Sequence, residues 1–483
     1  MKPALLVLPS LALLLAGSPR MLPNPQPPNI LMIAVDDMNG FIGAMGHPDA
    51  ITPNLDKLIK SGTLFSNAHA QSPMCSPSRA AIMTGLRPST TGIYGMIDDD
   101  KIQQTNAATR QVPMLFEHFK RNGYHTMGIG KLFHEHAPTG MLDESGGRKK
   151  GFGPSPKTNF HWDKKGTSTD WGPFPERDDQ MPDYHSAQWA IERLGRSYEK
   201  PFFLSVGFLR PHVPWYVPQK WFDLYDPAKL HLPPYLKTDR DDLPAIALAI
   251  DDLPMMPTTD WAIENNQWRN ILQGYLASVS FVDHYIGEIL TALEKSKYAQ
   301  NTIVVLWSDH GYRLGEKGTF AKVCLWDPAT RAPLIFSGPG IPQTTKVDAP
   351  VELFSIYPTL TDLSHTPSPA GLEARSLHPL LKNPAKKWPY PALMTWARNN
   401  HAVKTEDYRY IRYEDGSEEL YRLKNDPNEW YNVANHKQYA KVKAALQKHL
   451  PTTNVLWAAN SRYDNNDYFI RQKQEQSEKE TIK

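Results

Sequence analysis

Cysteine is almost missing from this chain: Cys75 and Cys324 are the two in 483 residues. No disulfide framework can be read from a single pair, and bridging those two would consume a thiol whose surroundings suggest a different use. Charge of one sign is missing as well. The 53 Lys and Arg against 51 Asp and Glu leave a formal net charge of +2, so there is no bulk attraction to nucleic acid or to a membrane surface. An anionic substrate would have to be met by bases placed locally. Long hydrophobic runs are also scarce. Beyond the N-terminal leader no stretch is long enough to cross a bilayer, which predicts no stable membrane insertion. No internal repeat is present.

The leader itself is informative. Lys2 precedes an apolar segment, Ala4 to Ala16, broken by Pro9 and ending in Ala16-Gly17-Ser18. That order of charge, apolar run and small residues fits a secretory signal peptide over residues 1–20. No cysteine follows to mark a lipoprotein. The expected address is therefore outside the cytoplasm, periplasmic or secreted. What the chain has in excess is proline, 43 residues, about twice average usage, which predicts long ordered loops around a compact core. The length suits one large α/β domain, expected over residues 25–384, with a smaller α+β subdomain over 385–455. A polar tail is expected over 456–483, frayed from Gln472 onward.

Within the large domain, four apolar runs read as buried parallel strands. Asn29 to Val35 ends in Asp36-Asp37, and Tyr124 to Ile129 ends in Gly130-Lys131-Leu132-Phe133-His134. Pro201 to Phe208 ends in Arg210-Pro211-His212, and Thr302 to Trp307 in Ser308-Asp309-His310-Gly311, with Lys322 further on. Helical patterns alternate with the strands, so a mostly parallel sheet covered on both faces is expected. In such a sheet the C-terminal strand ends share one rim, where ligands bind. Each residue alone reads most simply as a solvated loop position; their joint placement is what points to a site. Three aspartates and a histidine suit one hard divalent cation, Ca²⁺ or Mg²⁺, better than zinc. Arg79, Lys131 and Lys322 around it would hold a tetrahedral oxyanion, with His134 and His212 as proton carriers.

The stretch Ser72-Pro73-Met74-Cys75-Ser76-Pro77-Ser78-Arg79 sits before an apolar run, and Pro77 suits the first turn of a helix. Cys75 is then expected at a helix N-terminus, where negative charge is favoured. After residue 385 the strands are short and aromatic, with Asp415-Gly416 as a hairpin signal. Trp162, Trp171, Trp215, Tyr216 and Trp261 could stack on sugar rings, although such residues more often pack a core or its rim.

Cys75-Ser76-Pro77-Ser78-Arg79, continuing to Thr84-Gly85-Leu86-Arg87-Pro88, resembles the signature of the formylglycine-dependent sulfatases. The resemblance runs in family order through the four strand ends and on to Tyr421-Arg422-Leu423-Lys424-Asn425-Asp426-Pro427, so it covers most of the chain. His310, Phe320-Ala321-Lys322 and Gly274-Tyr275-Leu276 bring it nearest to the iduronate-2-sulfatase-like branch. The resemblance implies an alkaline-phosphatase-like α/β sandwich with a small C-terminal antiparallel sheet. It also implies hydrolysis of sulfate monoesters on a sulfated carbohydrate, algal or glycosaminoglycan-like. By the same resemblance a formylglycine-generating or anaerobic sulfatase-maturating enzyme converts Cys75 to an aldehyde. Asp36, Asp37, Asp309, His310 and modified Cys75 would bind the cation, usually Ca²⁺, with Mg²⁺ second. Arg79 would stabilise the aldehyde hydrate, Lys131, His212 and Lys322 would grip the sulfate, and His134 would act on the hydrate. His212 is the residue expected to protonate the leaving alcohol. Two other readings compete: a phosphate or phosphonate ester hydrolase of the same superfamily, and a glycan-binding homologue without catalysis.

Overall fold

The computed structural model describes residues 27–481, so the predicted leader lies outside the described residues. In chain order the strands are β1 (Asn29–Val35), β2 (Gly62–His69), β3 (His125–Gly130), β4 (Glu144–Gly147), β5 (Trp171–Pro173), β6 (Phe202–Gly207), β7 (Trp215–Val217), β8 (Thr302–Ser308), β9 (Arg331–Ser337), β10 (Thr345–Val347) and β11 (Val351–Glu352). Four more follow: β12 (Ala392–Thr395), β13 (His401–Lys404), β14 (Tyr408–Arg412) and β15 (Glu418–Arg422). Nine of these make one large sheet in the order β10-β2-β9-β8-β1-β6-β3-β4, with β11 beside β2. All its pairings are parallel except those of β9, which runs against both neighbours. The expected mostly parallel sheet is therefore present.

The four strands singled out above are adjacent: β8, β1, β6 and β3 lie side by side and parallel. Every residue of β1, β6 and β8 is buried. Alternation across the pleat sends Leu31, Ile33 and Val35 to one face and Ile30, Met32 and Ala34 to the other. The first face packs with residues of the 28-residue helix Trp268–Lys295, among them Leu276, Val279 and Ile286. On the second, Ile82 and Met83 of a helix beginning at Cys75 join the cluster. Two apolar faces explain why these strands read as continuous hydrophobic runs rather than alternating ones.

β12 to β15 form a separate antiparallel meander, with Gly416 at φ +90° in the β14–β15 turn. Two expectations are corrected. The C-terminal stretch is not frayed from Gln472: Asp467–Thr481 is helical. Tyr468 and Phe469 are buried, and Phe469 lies 4.6 Å, ring centroid to centroid, from Trp396. Two adjacent aromatics anchor the segment, and their signal is diluted by the polar residues that follow. The aromatics offered for sugar stacking are largely core instead. Trp171, Trp215 and Tyr216 are buried to within 1% exposure, and Trp162 packs edge-on to Trp261 at 4.7 Å.

Candidate active site

Helix α1 (Pro53–Lys60) leads into β2, and helix α2 (Cys75–Thr84) follows it. Met74 is the extended residue before α2, and Pro77 falls in its first turn, where no intrahelical partner is required of the backbone N–H. Gly85, left-handed at φ +67°, closes it, donating its N–H to the Ala81 carbonyl at 2.8 Å. Cys75 thus stands at the helix N-terminus, fully buried. Both cysteines are free thiols.

Around Cys75 the strand ends converge. Asp36, Cys75, Asp309 and His310 present ligand atoms all within 4.8 Å of one another, as do Asp37, Cys75 and His212. The Lys322 Nζ donates to Asp37 Oδ1 at 2.6 Å and lies 3.1 Å from Cys75 Sγ. Lys131 Nζ donates to Asp36 Oδ2 at 2.5 Å, and Arg79 Nε to Asp309 Oδ2 at 2.8 Å. His212 Nε2 is 3.9 Å from Asp37 Oδ2. His310 Nε2 is 3.4 Å from Cys75 Sγ. Each histidine uses its Nδ1–H on a neighbouring carbonyl, Val213 for His212 at 2.5 Å and Gly311 for His310 at 2.9 Å, which leaves Nε2 with a free lone pair facing the cluster.

Nine of the ten residues expected from sequence therefore meet in one cluster. The tenth, His134, lines the same cavity, and no hydrogen bond joins its ring to the cluster among the described residues. Its backbone N–H donates to Asp99 Oδ1 at 3.2 Å, which pins the loop after β3. Of the three cations, Lys322 faces the cavity, while Arg79 and Lys131 stand behind the carboxylates with no exposure.

The electrostatics explain what this cluster needs. Burial pulls Asp36 upward, but Lys131, His212, Arg79 and Lys322 outweigh it and hold the carboxyl well below its usual range. Burial pushes Asp37 up to about 7 against the pull of Lys322, with Asp36 and Asp309 adding to the rise. Asp36 Oδ1 and Asp37 Oδ2 are buried with no hydrogen-bond partner. Two orphaned carboxylate oxygens next to a third carboxylate and an imidazole lone pair are what a bound cation would satisfy, and the oxygen-rich donors fit a hard ion. Burial, reinforced by Asp36, pushes the Cys75 thiol up to about 12, so the thiol as such is a poor nucleophile near neutral pH. Burial, with Lys131 adding to it, lowers His134 to about 3, and burial lowers His310 to about 4; both imidazoles are neutral.

Several supporting residues have no signal in sequence spacing. Phe152 stacks on His212 with ring centroids 4.2 Å apart and planes 2° from parallel. Tyr463 reaches the cavity from the C-terminal stretch. Arg313 donates to the carbonyls of Ala321 and Lys322 at 3.1 and 3.4 Å and is paired with Asp251, holding the backbone that carries Lys322. Asp37 is left-handed at φ 62°, a strained turn that the surrounding hydrogen bonds hold in place. One of those bonds comes from the long helix: the Tyr275 hydroxyl accepts from Asn39 N–H and donates to the Asp37 carbonyl, both at 2.9 Å. Tyr275→Phe is expected to cost about 1–3 kcal/mol in urea unfolding, because both buried backbone groups lose their partner. Unchanged stability would show that the hydroxyl is not holding this turn.

Comparison with known proteins places these features. Residues 28–366 match the family model described as Sulfatase, and residues 315–455 the model described as N-sulphoglucosamine sulphohydrolase, C-terminal. The chain is 55% identical over 460 residues to a protein named Sulfatase from Formosa agariphila, covering 92% of this chain and 90% of that one. It is 31% identical over 407 residues to human iduronate 2-sulfatase, covering 72% and 71%. In fold it resembles the phosphonate monoester hydrolase of Agrobacterium radiobacter, with a TM-score of 0.71 at 22% identity over 88% of this chain and 97% of that one. With most of its length matched by the family model and two long relatives sharing it, the chain belongs to the sulfatase family and is a sulfuric ester hydrolase.

Proposed function

We propose that the protein removes sulfate from a sulfated carbohydrate, using formylglycine made from Cys75 and a Ca²⁺ ion held by Asp36, Asp37, Asp309 and His310. The observation that carries this reading is the pair of contacts made by Lys322, on Asp37 and on Cys75 Sγ, at the floor of a cavity of about 170 Å³. A cation so placed faces both the reacting atom and the space a sulfate would enter. The name of the human relative, a sulfatase of a sugar acid, supports a carbohydrate substrate.

When bound, the cation supplies Lewis acidity and the modified side chain the nucleophilic oxygen. The chain's own residues do the rest. Lys322 binds a sulfate oxygen and offsets negative charge as the ester bond breaks. Lys131 and Arg79 pair with Asp36 and Asp309 from behind and orient them. His212, with its Nδ1–H fixed on Val213 and its ring held flat against Phe152, turns Nε2 into the cavity; the negative charge of a bound sulfate favours the imidazolium, whose Nε2 proton then passes to the departing alcohol. His134, neutral on the cavity wall, is the base that accepts a proton in the step that frees sulfate. The leader over residues 1–20 supports export to the periplasm or medium, and a maturating enzyme is the implied partner for Cys75.

The fold likeness to a phosphonate monoester hydrolase favours a second reading, hydrolysis of phosphorus esters. Turnover of matched aryl sulfate and aryl phosphate monoesters separates the two. Sulfate is expected to be clearly preferred, and activity is expected to vanish on chelation and return with Ca²⁺ more fully than with Mg²⁺. Preference for the phosphate ester would overturn the sulfatase reading; activity indifferent to chelation would overturn the metal assignment.

A further inference from the structure

Leu253 and Met256 form part of the wall of the cavity over Cys75. The same two residues form part of the wall of a second cavity, of about 630 Å³. The larger one falls in the range of about 300–1,000 Å³ usual for ligand sites, while the catalytic cavity, at about 170 Å³, falls below it. A substrate much larger than the reacting sulfate and its immediate surroundings has to continue beyond the first cavity, and the second adjoins it.

The charges around the larger cavity say what it suits. Arg240 is taken up by Asp251 at 2.9 Å, and Asp239 by Lys317 at 2.5 Å. Asp260 has no cationic partner among the described residues and accepts the Tyr235 hydroxyl at 2.6 Å. Among the described residues no side chain pairs with the Lys237 ammonium or the Asp252 carboxylate, both exposed on the cavity wall. The uncompensated groups are thus one ammonium and two carboxylates, a balance that repels a densely sulfated segment. Carboxylates accept hydrogen bonds from sugar hydroxyls, and Leu236, Leu248 and Pro254 offer apolar surface to C–H faces of a ring. The two cavities are also held at a fixed spacing. Asp251, on the wall of the larger one, pairs with Arg313 at 2.5 Å, and Arg313 grips the backbone of Ala321 and Lys322.

We propose that the larger cavity binds neutral, unsulfated sugar units that flank the sulfated residue, so that the preferred substrate is a sparsely sulfated oligosaccharide rather than a single sugar or a polyanion. This rests on the carbohydrate-sulfatase reading above. Ala249 lines the larger cavity but not the catalytic one and is exposed, so Ala249→Trp fills the space without replacing any residue assigned to the chemistry. A Lys237→Ala/Asp252→Ala double variant is the second probe.

The assay compares kcat/KM on an aryl sulfate with that on two-sugar and six-sugar κ-carrageenan fragments, in which sulfated and unsulfated sugars alternate, and on heparin fragments of the same sizes. The wild-type protein is expected to gain about tenfold from two to six sugars on the alternating series. Ala249→Trp is expected to remove that gain while changing aryl sulfate turnover by less than about twofold, as for sites that do not interact. The double variant should remove part of the gain, mainly through KM. No length dependence in either series, or a gain that survives in both variants, overturns the inference. A larger gain on heparin fragments overturns the assignment to neutral sugars. Failure of the underlying sulfatase reading looks different: the wild-type protein would then leave even the aryl sulfate intact.

Discussion

Cys75→Ala is expected to lower aryl sulfate turnover by a factor on the order of 10⁴–10⁶, the scale seen when an enzyme loses its nucleophile, with folding retained. The polar contacts of Sγ are those with Lys322 Nζ and His310 Nε2, and alanine is well suited to the first turn of a helix. The thermal midpoint should therefore barely move while activity disappears. Cys75→Ser distinguishes a simple loss of function from a loss of the right chemistry. A serine hydroxyl can attack sulfur, but it leaves a sulfate ester that needs a second difficult displacement, so at most one turnover per molecule is expected. Mass analysis of the Cys75 peptide completes the test. A fully active protein whose Cys75 remains a thiol, or an alanine variant keeping a tenth of the activity, would sink the assignment.

Asp309→Ala is expected to be the most destabilising single change in the site. Asp309 and Arg79 are both without solvent exposure, and Nε to Oδ2 is 2.8 Å. Removing Asp309 takes from a buried guanidinium its nearest carboxylate, leaving Asp36 at 3.6 Å; breaking a buried ion pair typically costs about 3–5 kcal/mol. The urea midpoint should fall accordingly, and activity should be lost with the carboxylate. Removing both charges tells stability from function. An Arg79→Met/Asp309→Leu double variant, apolar at both positions, should recover most of the stability and none of the activity. If the single variant unfolds at the wild-type urea concentration, water or another group compensates Arg79 and the reading of this pair fails.

How much of this was legible in the sequence depended on whether a residue's role is set locally. Asp36-Asp37, Lys131, His212 and Asp309-His310 each follow an apolar run, and the run itself announces a buried strand with an end. The Cys75 stretch carries its own helix start. By contrast, Phe152 meets His212, Asp251 meets Arg313, and Tyr463 meets the cavity only because distant loops fold over the rim. Nothing near Phe152 or Tyr463 in sequence sets them apart from surface aromatics. The short strands β4 and β5 were hidden for a related reason: Glu144–Gly147 carries two glycines, and Trp171–Pro173 ends in proline, so neither reads as a strand without its partner. The C-terminal helix failed to register because Phe469 packs on Trp396 and Tyr463 and the Tyr468 hydroxyl meets Asn400, contacts that the helix's own polar periodicity does not announce.

The sheet order carries a further meaning, one of timing. β1 is the central strand, yet its partners are β6 and β8, so Ile30 pairs with Phe203 and Asn29 with Thr302. A chain made from its N-terminus cannot pair both sides of β1 until residue 308 has left the ribosome, and contacts of such long sequence separation form slowly. Cys75, 1% exposed once folded, stays open to other proteins throughout that interval. A protein that chemically alters Cys75 meets it most openly in that interval, before the cavity walls that follow β8, Lys322 and Tyr463 among them, are in place.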